Sequence, residues 1–169
     1  MPSTVATIGR MDPTIDEFVP ADADWATRLL TDHFGAPIVV SRGVLHDARE
    51  LPGFVARVDG NLAGLVTYRL DGDECEVVSI NGRGVGAALL AAVVSQARRL
   101  GCRRIWLVTT NDNVRALRFY QRHGWDLVAV HRDAVTVARR IKPSIPLVGE
   151  DGIPIRHELE LELVLTPVD

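Results

Sequence analysis

Three glycines fall within five residues in the run Asn81-Gly82-Arg83-Gly84-Val85-Gly86, which joins a short apolar stretch to a long amphipathic one. A strand that passes through glycines directly into a helix presents free backbone N–H groups at the helix N-terminus. The helix dipole adds a partial positive charge there, so a phosphate can dock. The spacing therefore predicts a phosphate-bearing ligand. No Gly-Lys-Ser/Thr follows the turn, which argues against a nucleotide-triphosphate loop. The turn also comes after four predicted strands rather than opening a first βαβ unit with an acidic residue about 20 positions on, which argues against a dinucleotide fingerprint. Three glycines exceed what a tight reversal alone requires. Cys75 and Cys102 sit beside apolar residues without metal-ligand spacing or a pairing pattern, so they read as buried free thiols, and no metal is implied.

The elements that must position this turn can be read on both sides of it. Residues 1–13 are expected to form a flexible leader and 14–169 one domain. Thr14 to Val19 alternates as a strand, and Asp22 is placed to cap a helix whose apolar face carries Trp25, Leu29, Leu30 and Phe34. Gly35 to Gly53 reads as an irregular segment, a candidate lid. Phe54 to Val58, Leu62 to Leu70 and Glu74 to Ile80 form an antiparallel meander, turned at Asp59-Gly60 and at Asp71-Gly72-Asp73. Gly84 to Leu100 is a helix, and Arg104 to Thr109 a strand that this helix joins in parallel. Asn111, Asp112 and Asn113 are cap candidates for a helix to His123, and Trp125 to His131 is a strand. Asp133 to Ile141 is a short helix and Lys142 to Pro154 a loop. From His157 to Leu165 leucines alternate with Glu158, Glu160 and Glu162, a half-buried strand whose glutamates are expected on a solvated face. The fold class is α/β (α+β), with a mixed, mostly antiparallel central sheet and helices on both faces.

The chain has 169 residues, 47% hydrophobic and 24% charged, the balance of an ordinary soluble domain. A formal charge of -3 gives no footprint for nucleic acid. Lys142 is the sole lysine, and the arginines are spread along the chain without forming a patch. No apolar run reaches membrane-spanning length and no signal-peptide core precedes the domain, so a cytoplasmic location is expected.

Two stretches together resemble the GNAT superfamily of acetyl-CoA-dependent N-acetyltransferases. Gly84-Val85-Gly86 is similar to the second half of that family's Gln/Arg-x-x-Gly-x-Gly/Ala loop. Asn113, Ala116, Phe119, Tyr120, Gly124 and Trp125 are similar to its Asn-x-x-Ala-x-x-Phe-Tyr-x-x-x-Gly-Phe/Trp stretch. The motifs stand at the family's separation, and the likeness spans roughly Thr14 to His131. Asn81 occupies the Gln/Arg position, and the connection from strand to loop is shorter than the family's.

The resemblance implies a single-domain fold of that family and acetyl-CoA as co-substrate. It implies that the backbone of Val78, Ser79 and Ile80 pairs with the pantetheine amides as an added strand would. The amides of Arg83, Gly84, Val85, Gly86 and Ala87 would hold the pyrophosphate. Asn113 would contact the pantetheine arm, and the Tyr120 hydroxyl would protonate the departing thiolate. Glu76, a carboxylate on a partly apolar strand face beside the thioester, is the candidate base for a primary amine. His46 and Trp25 are candidates for the acceptor pocket, with His33 and Asp47 behind them. The implied reaction is direct acetyl transfer to a small-molecule or peptide amine, with a homodimer allowed. A catalytically silent acyl-CoA-binding sensor or structural module of the same fold is the alternative reading.

Overall fold

The computed structural model describes residues 12–149 and 151–166, so most of the expected leader lies outside the described residues. Nine strands and four helices follow in order: β1 (Thr14–Glu17), α1 (Ala23–Phe34), β2 (Ile38–Ser41), β3 (Val44–Asp47), β4 (Gly53–Val58), β5 (Asn61–Asp71), β6 (Glu74–Asn81), α2 (Gly86–Arg99), β7 (Arg104–Thr110), α3 (Val114–Arg122), β8 (Asp126–His131), α4 (Ala134–Ile141) and β9 (Glu158–Val164). Seven strands form one sheet in the order β1-β4-β5-β6-β7-β9-β8, and β2 pairs with β3 separately. Only β6 and β7 run parallel, as the intervening helix requires, and every other pairing is antiparallel. Among the described residues no helix is long and apolar enough to cross a membrane.

Alternation along the central strands produces two apolar layers. Ala56, Val66, Cys75, Val77 and Ile105 face α2 and α3, where they meet Leu89, Val93, Ala97 and Tyr120. Val55 and Leu65 face the other way and pack with Ala26 and Leu30 of α1. Four consecutive residues of β5, from Leu65 to Tyr68, are buried because both faces are covered. Each large aliphatic side chain enclosed in this way contributes about 1.5–3 kcal/mol relative to exposure.

Three expectations are corrected. The segment from Gly35 to Gly53 is not irregular: β2 and β3 form a hairpin whose two-residue turn, Arg42-Gly43, lies at φ 50° and 76°. Positive φ at both central residues is what a type I′ hairpin turn demands. Asp22 does not cap α1 with its side chain; its carboxylate turns back to accept from the Val19 N–H at 3.2 Å. The glutamates of β9 are not on a solvated face. Glu160 and Glu162 accept from the Arg104 guanidinium, and Glu158, 4% exposed, accepts from the Arg42 backbone N–H at 3.2 Å.

Gly64 of β5 is held against the start of α2. A Cβ there would lie 2.5 Å from Val85 Cγ2, 2.8 Å from the Asn81 carbonyl oxygen and 2.9 Å from Leu89 Cδ1. Gly64→Ala is therefore expected to destabilise the fold by about 1–3 kcal/mol through overpacking. A urea midpoint equal to that of the parent chain would show that α2 gives way without cost.

Candidate active site

The pairing of β6 with β7 covers only Glu74–Glu76 against Arg104–Trp106. From Val77 to Asn81, β6 is paired on its β5 side alone, and the two parallel strands part. The register between β5 and β6 also shifts between Thr67 and Tyr68, leaving Val78 as an extra residue in β6. The result is a row of backbone N–H and C=O groups along Val78, Ser79 and Ile80 that faces a gap between strands. Groups of this kind take an extended ligand as a further strand.

At the end of that edge the chain passes Gly82 (φ 148°) and Gly84 (φ 77°) into α2. Val85 is buried and takes the N-cap position without a side-chain cap, and no acidic residue lies in the first turn of α2. The amides of the first turn therefore lack a partner from a capping side chain, and nothing there offsets the dipole. Arg83 and Ala87 are exposed on this turn, and Gly86 backs onto the ring of Phe119.

Two further expected site residues, Asn113 and Tyr120, belong to α3 and its cap. Asn113 caps α3, its Oδ1 accepting from the Ala116 N–H at 3.1 Å. Tyr120 is 5% exposed, packed against Phe119 and Trp125 with ring centroids 5.2 and 5.6 Å away. Burial raises its hydroxyl well above the ordinary phenol value, so it stays protonated at neutral pH.

Glu76 is 2% exposed, and its carboxylate is held by polar partners on a face that also carries the apolar Leu65. Arg69 Nε donates to Oε2 at 2.5 Å and the Ser41 hydroxyl donates to Oε1 at 2.5 Å. Both carboxylate oxygens are thus engaged, and the hairpin of β2 and β3 is fastened to the sheet at this point. His46, on β3, has a buried Nε2 without a hydrogen-bond partner among the described residues. Burial holds its imidazole below the ordinary value, an effect that the negative charge of Glu76 opposes and the Arg69 charge reinforces.

The other acceptor-pocket candidates are placed elsewhere. Trp25 is half-buried on α1 against the second apolar layer. His33 is exposed in the last turn of α1. The Asp47 carboxylate is taken by Arg49, whose hydrogen bonds hold it below the usual carboxylate range. Among the described residues no cluster of three or more His, Cys, Asp or Glu is placed to hold a metal.

Sequence reasoning missed Ser41, Arg69, Arg42 and Trp106. Arg69 was recoverable, since the turn before Glu74 sets it opposite Glu76. Ser41 and Arg42 were recoverable only by reading Arg42-Gly43 as a hairpin turn. Nothing local points to Trp106, which is buried beside Glu76 in the parallel register, with the Arg104 guanidinium 5.4 Å from its ring centroid.

Comparison with known proteins gives the family and the fold. Residues 16–125 match the Acetyltransferase (GNAT) family. The chain is 43% identical over 150 residues to the uncharacterized protein YdhI of Bacillus subtilis (strain 168), covering 83% of this chain and 93% of that one. It is 32% identical over 135 residues to the streptothricin acetyltransferase of Streptomyces lavendulae, covering 72% and 70%. Its fold is similar to that of a GNAT family acetyltransferase from Elizabethkingia anophelis solved with acetyl-CoA bound, at a TM-score of 0.65 and 18% identity over 91% of this chain and 99% of that one. Acetyl-CoA is accordingly the co-substrate, and the unpaired edge of β6 with the uncapped turn of α2 suits its amide-bearing arm and its pyrophosphate. The chain belongs to the GNAT family of acetyltransferases.

Proposed function

We propose that residues 14–169 form an N-acetyltransferase domain that moves the acetyl group of acetyl-CoA directly onto a primary amine. The observation that carries this reading is the parting of β6 from β7 immediately beyond Glu76, with a glycine turn and an uncapped helix N-terminus at the far end of the opened edge. The backbone of Val78, Ser79 and Ile80 would pair with the pantetheine amides, and the amides from Arg83 to Ala87 would hold the pyrophosphate. Asn113 already spends Oδ1 on its helix cap, so its amide nitrogen is the group that would meet a carbonyl of the arm.

In the reaction the amine nitrogen forms a bond to the acetyl carbon and the carbon–sulfur bond breaks. The amine's proton passes to Glu76, directly or through water, and the Tyr120 hydroxyl gives its proton to the departing thiolate. Arg69 and Ser41 fix the Glu76 carboxylate, and His46 on β3 would lie on the acceptor side. A small-molecule amine is the acceptor class, a reading supported by the name of the streptothricin acetyltransferase relative. Calorimetric titration with acetyl-CoA, followed by thiol release against a panel of small amines and peptides, tests this. Binding without release over the whole panel would make the chain a silent acyl-CoA-binding module instead.

Three variants examine the parts separately. Gly84→Ala places a Cβ at a left-handed position beside the phosphate site and is expected to weaken acetyl-CoA binding about tenfold. An unchanged dissociation constant would remove the loop from the site. Tyr120→Phe should lower kcat by about 10²- to 10⁴-fold with acetyl-CoA affinity kept, the contribution typical of a general acid. Parent-level turnover would leave Tyr120 as packing alone. Glu76→Gln should lower kcat/KM at neutral pH, where an alkyl amine of pKa about 10.4 is mostly protonated. Part of the rate should return as pH rises and free amine becomes abundant. A uniform drop at every pH would make Glu76 a positioning residue.

A further inference from the structure

The sheet face that carries Glu76 continues across β7, β9 and β8. Glu76 stands beside Trp106 in the parallel register, Trp106 is opposite Glu162, and Glu158 lies further along β9 on the same face. At that end is a pocket of about 460 Å³, within the size range of small-ligand sites. Buried Glu158 lines it together with Arg42 of the hairpin turn, with Val130, His131 and Arg132 at the end of β8, and with Val137 of α4. The hairpin ties this pocket to the candidate base. Ser41 donates to Glu76, and the next residue, Arg42, donates through its backbone N–H to Glu158 at 3.2 Å. Two hydrogen bonds and the covalent bonds between one side chain and the following amide keep the two carboxylates no more than about 10 Å apart.

Charge around the pocket is unevenly satisfied. Glu158 is engaged by Arg42, and His131 Nε2 meets Glu160 at 3.0 Å. Asp133, the carboxylate next in sequence to Arg132, is taken by Arg156 at 3.3 Å. Arg132 is exposed and has no ion pair among the described residues. Arg42 spends only one long contact of its guanidinium on Glu158, at 3.5 Å, which leaves it further N–H donors. Guanidinium groups with free donors recognise a carboxylate in planar, charge-assisted pairs. Val130 and Val137, 54% and 49% exposed, add apolar surface suited to the chain that leads to such a group.

We infer that this pocket holds a carboxylate of the amine acceptor, between Arg42 and Arg132. The substrate is then a small molecule whose reacting amine and carboxylate stand about two or three extended residues apart, roughly 6–10 Å. Arg132 is a specificity-determining residue for that carboxylate. The inference rests on the transfer proposed above, with the amine at Glu76.

Thiol release from acetyl-CoA is measured with 6-aminohexanoate, its primary amide and 1,6-diaminohexane. These set a carboxylate, a neutral group or a cation at the far end of one chain. In the parent protein kcat/KM should favour the carboxylate over the amide by about tenfold or more, mainly through KM. Arg132→Ala should bring that ratio close to one, and Arg132→Glu should turn the preference toward the diamine. Both variants should keep the parent's melting temperature and acetyl-CoA affinity. Glycylglycine beside glycylglycinamide puts the same question to a peptide chain, and a carboxylate preference in either pair supports the assignment. Equal rates within both pairs, or a preference undiminished in Arg132→Ala, would overturn it and leave the transfer reading intact. Acetyl-CoA binding without thiol release for any amine would overturn both.

Discussion

Backbone pairing that stops after Glu76 is the constraint on which the rest of this molecule depends. Inside a sheet each N–H and C=O normally has a neighbour to satisfy it, and an unpaired row is costly unless something else fills it. Here β7 is held along its whole length by β9, from Arg104 to Thr110, so it cannot follow β6 as that strand bends away. The extra residue at Val78 adds to the bend, since a bulge increases local twist. What remains is a polar slot in the middle of an otherwise closed sheet, with a helix N-terminus at one end and a buried carboxylate at the other.

That carboxylate also organises the surroundings of the site. A charge as enclosed as Glu76 is tolerated only with partners in good geometry. Arg69 supplies the opposite charge from the neighbouring strand, and Ser41 supplies a donor from a hairpin that is not part of the main sheet. The adjacent residue, Arg42, repeats the arrangement with Glu158, donating through its backbone N–H and approaching through its guanidinium. Lys142 fastens the other end of the hairpin by donating to the carbonyls of Phe34 and Ile38. The hairpin is thereby fixed by polar contacts at both ends. Such contacts define position better than apolar packing, and they add little net stability.

Much of this was legible in the sequence because it rests on local chemistry. Glycine spacing marked the turn into α2, aspartate-glycine pairs marked the meander, and Asn113 was recognisable as a cap because caps are decided within four residues. What escaped notice is decided over long separations. Period-two alternation in β9 says that Glu158, Glu160 and Glu162 share a face, but it does not say that Arg104 and Arg42 stand opposite them. The hairpin of β2 and β3 was hidden for another reason. Its turn places an arginine at positive φ, where asparagine or glycine is the usual signal. For the candidate site, the glycine turn could be read from motif and spacing, whereas the setting of Glu76 required knowing which strands are neighbours.

The position of β9 has a consequence for the order in which the molecule is assembled. β8 belongs to the main sheet only through β9, which is inserted between it and β7 although it follows both in the chain. During synthesis the strands from β1 to β7 and the helices between them can come together by contacts that are mostly local. β8 has no place in the sheet until Glu158–Val164 emerges, and closing that long connection carries an entropic cost that shorter hairpins do not bear. A nascent chain that has not yet reached Glu158 therefore has the glycine turn and α2 available but exposes the edge of β7. β9 completes the sheet, and with Glu158 it brings in the carboxylate that anchors the hairpin of β2 and β3.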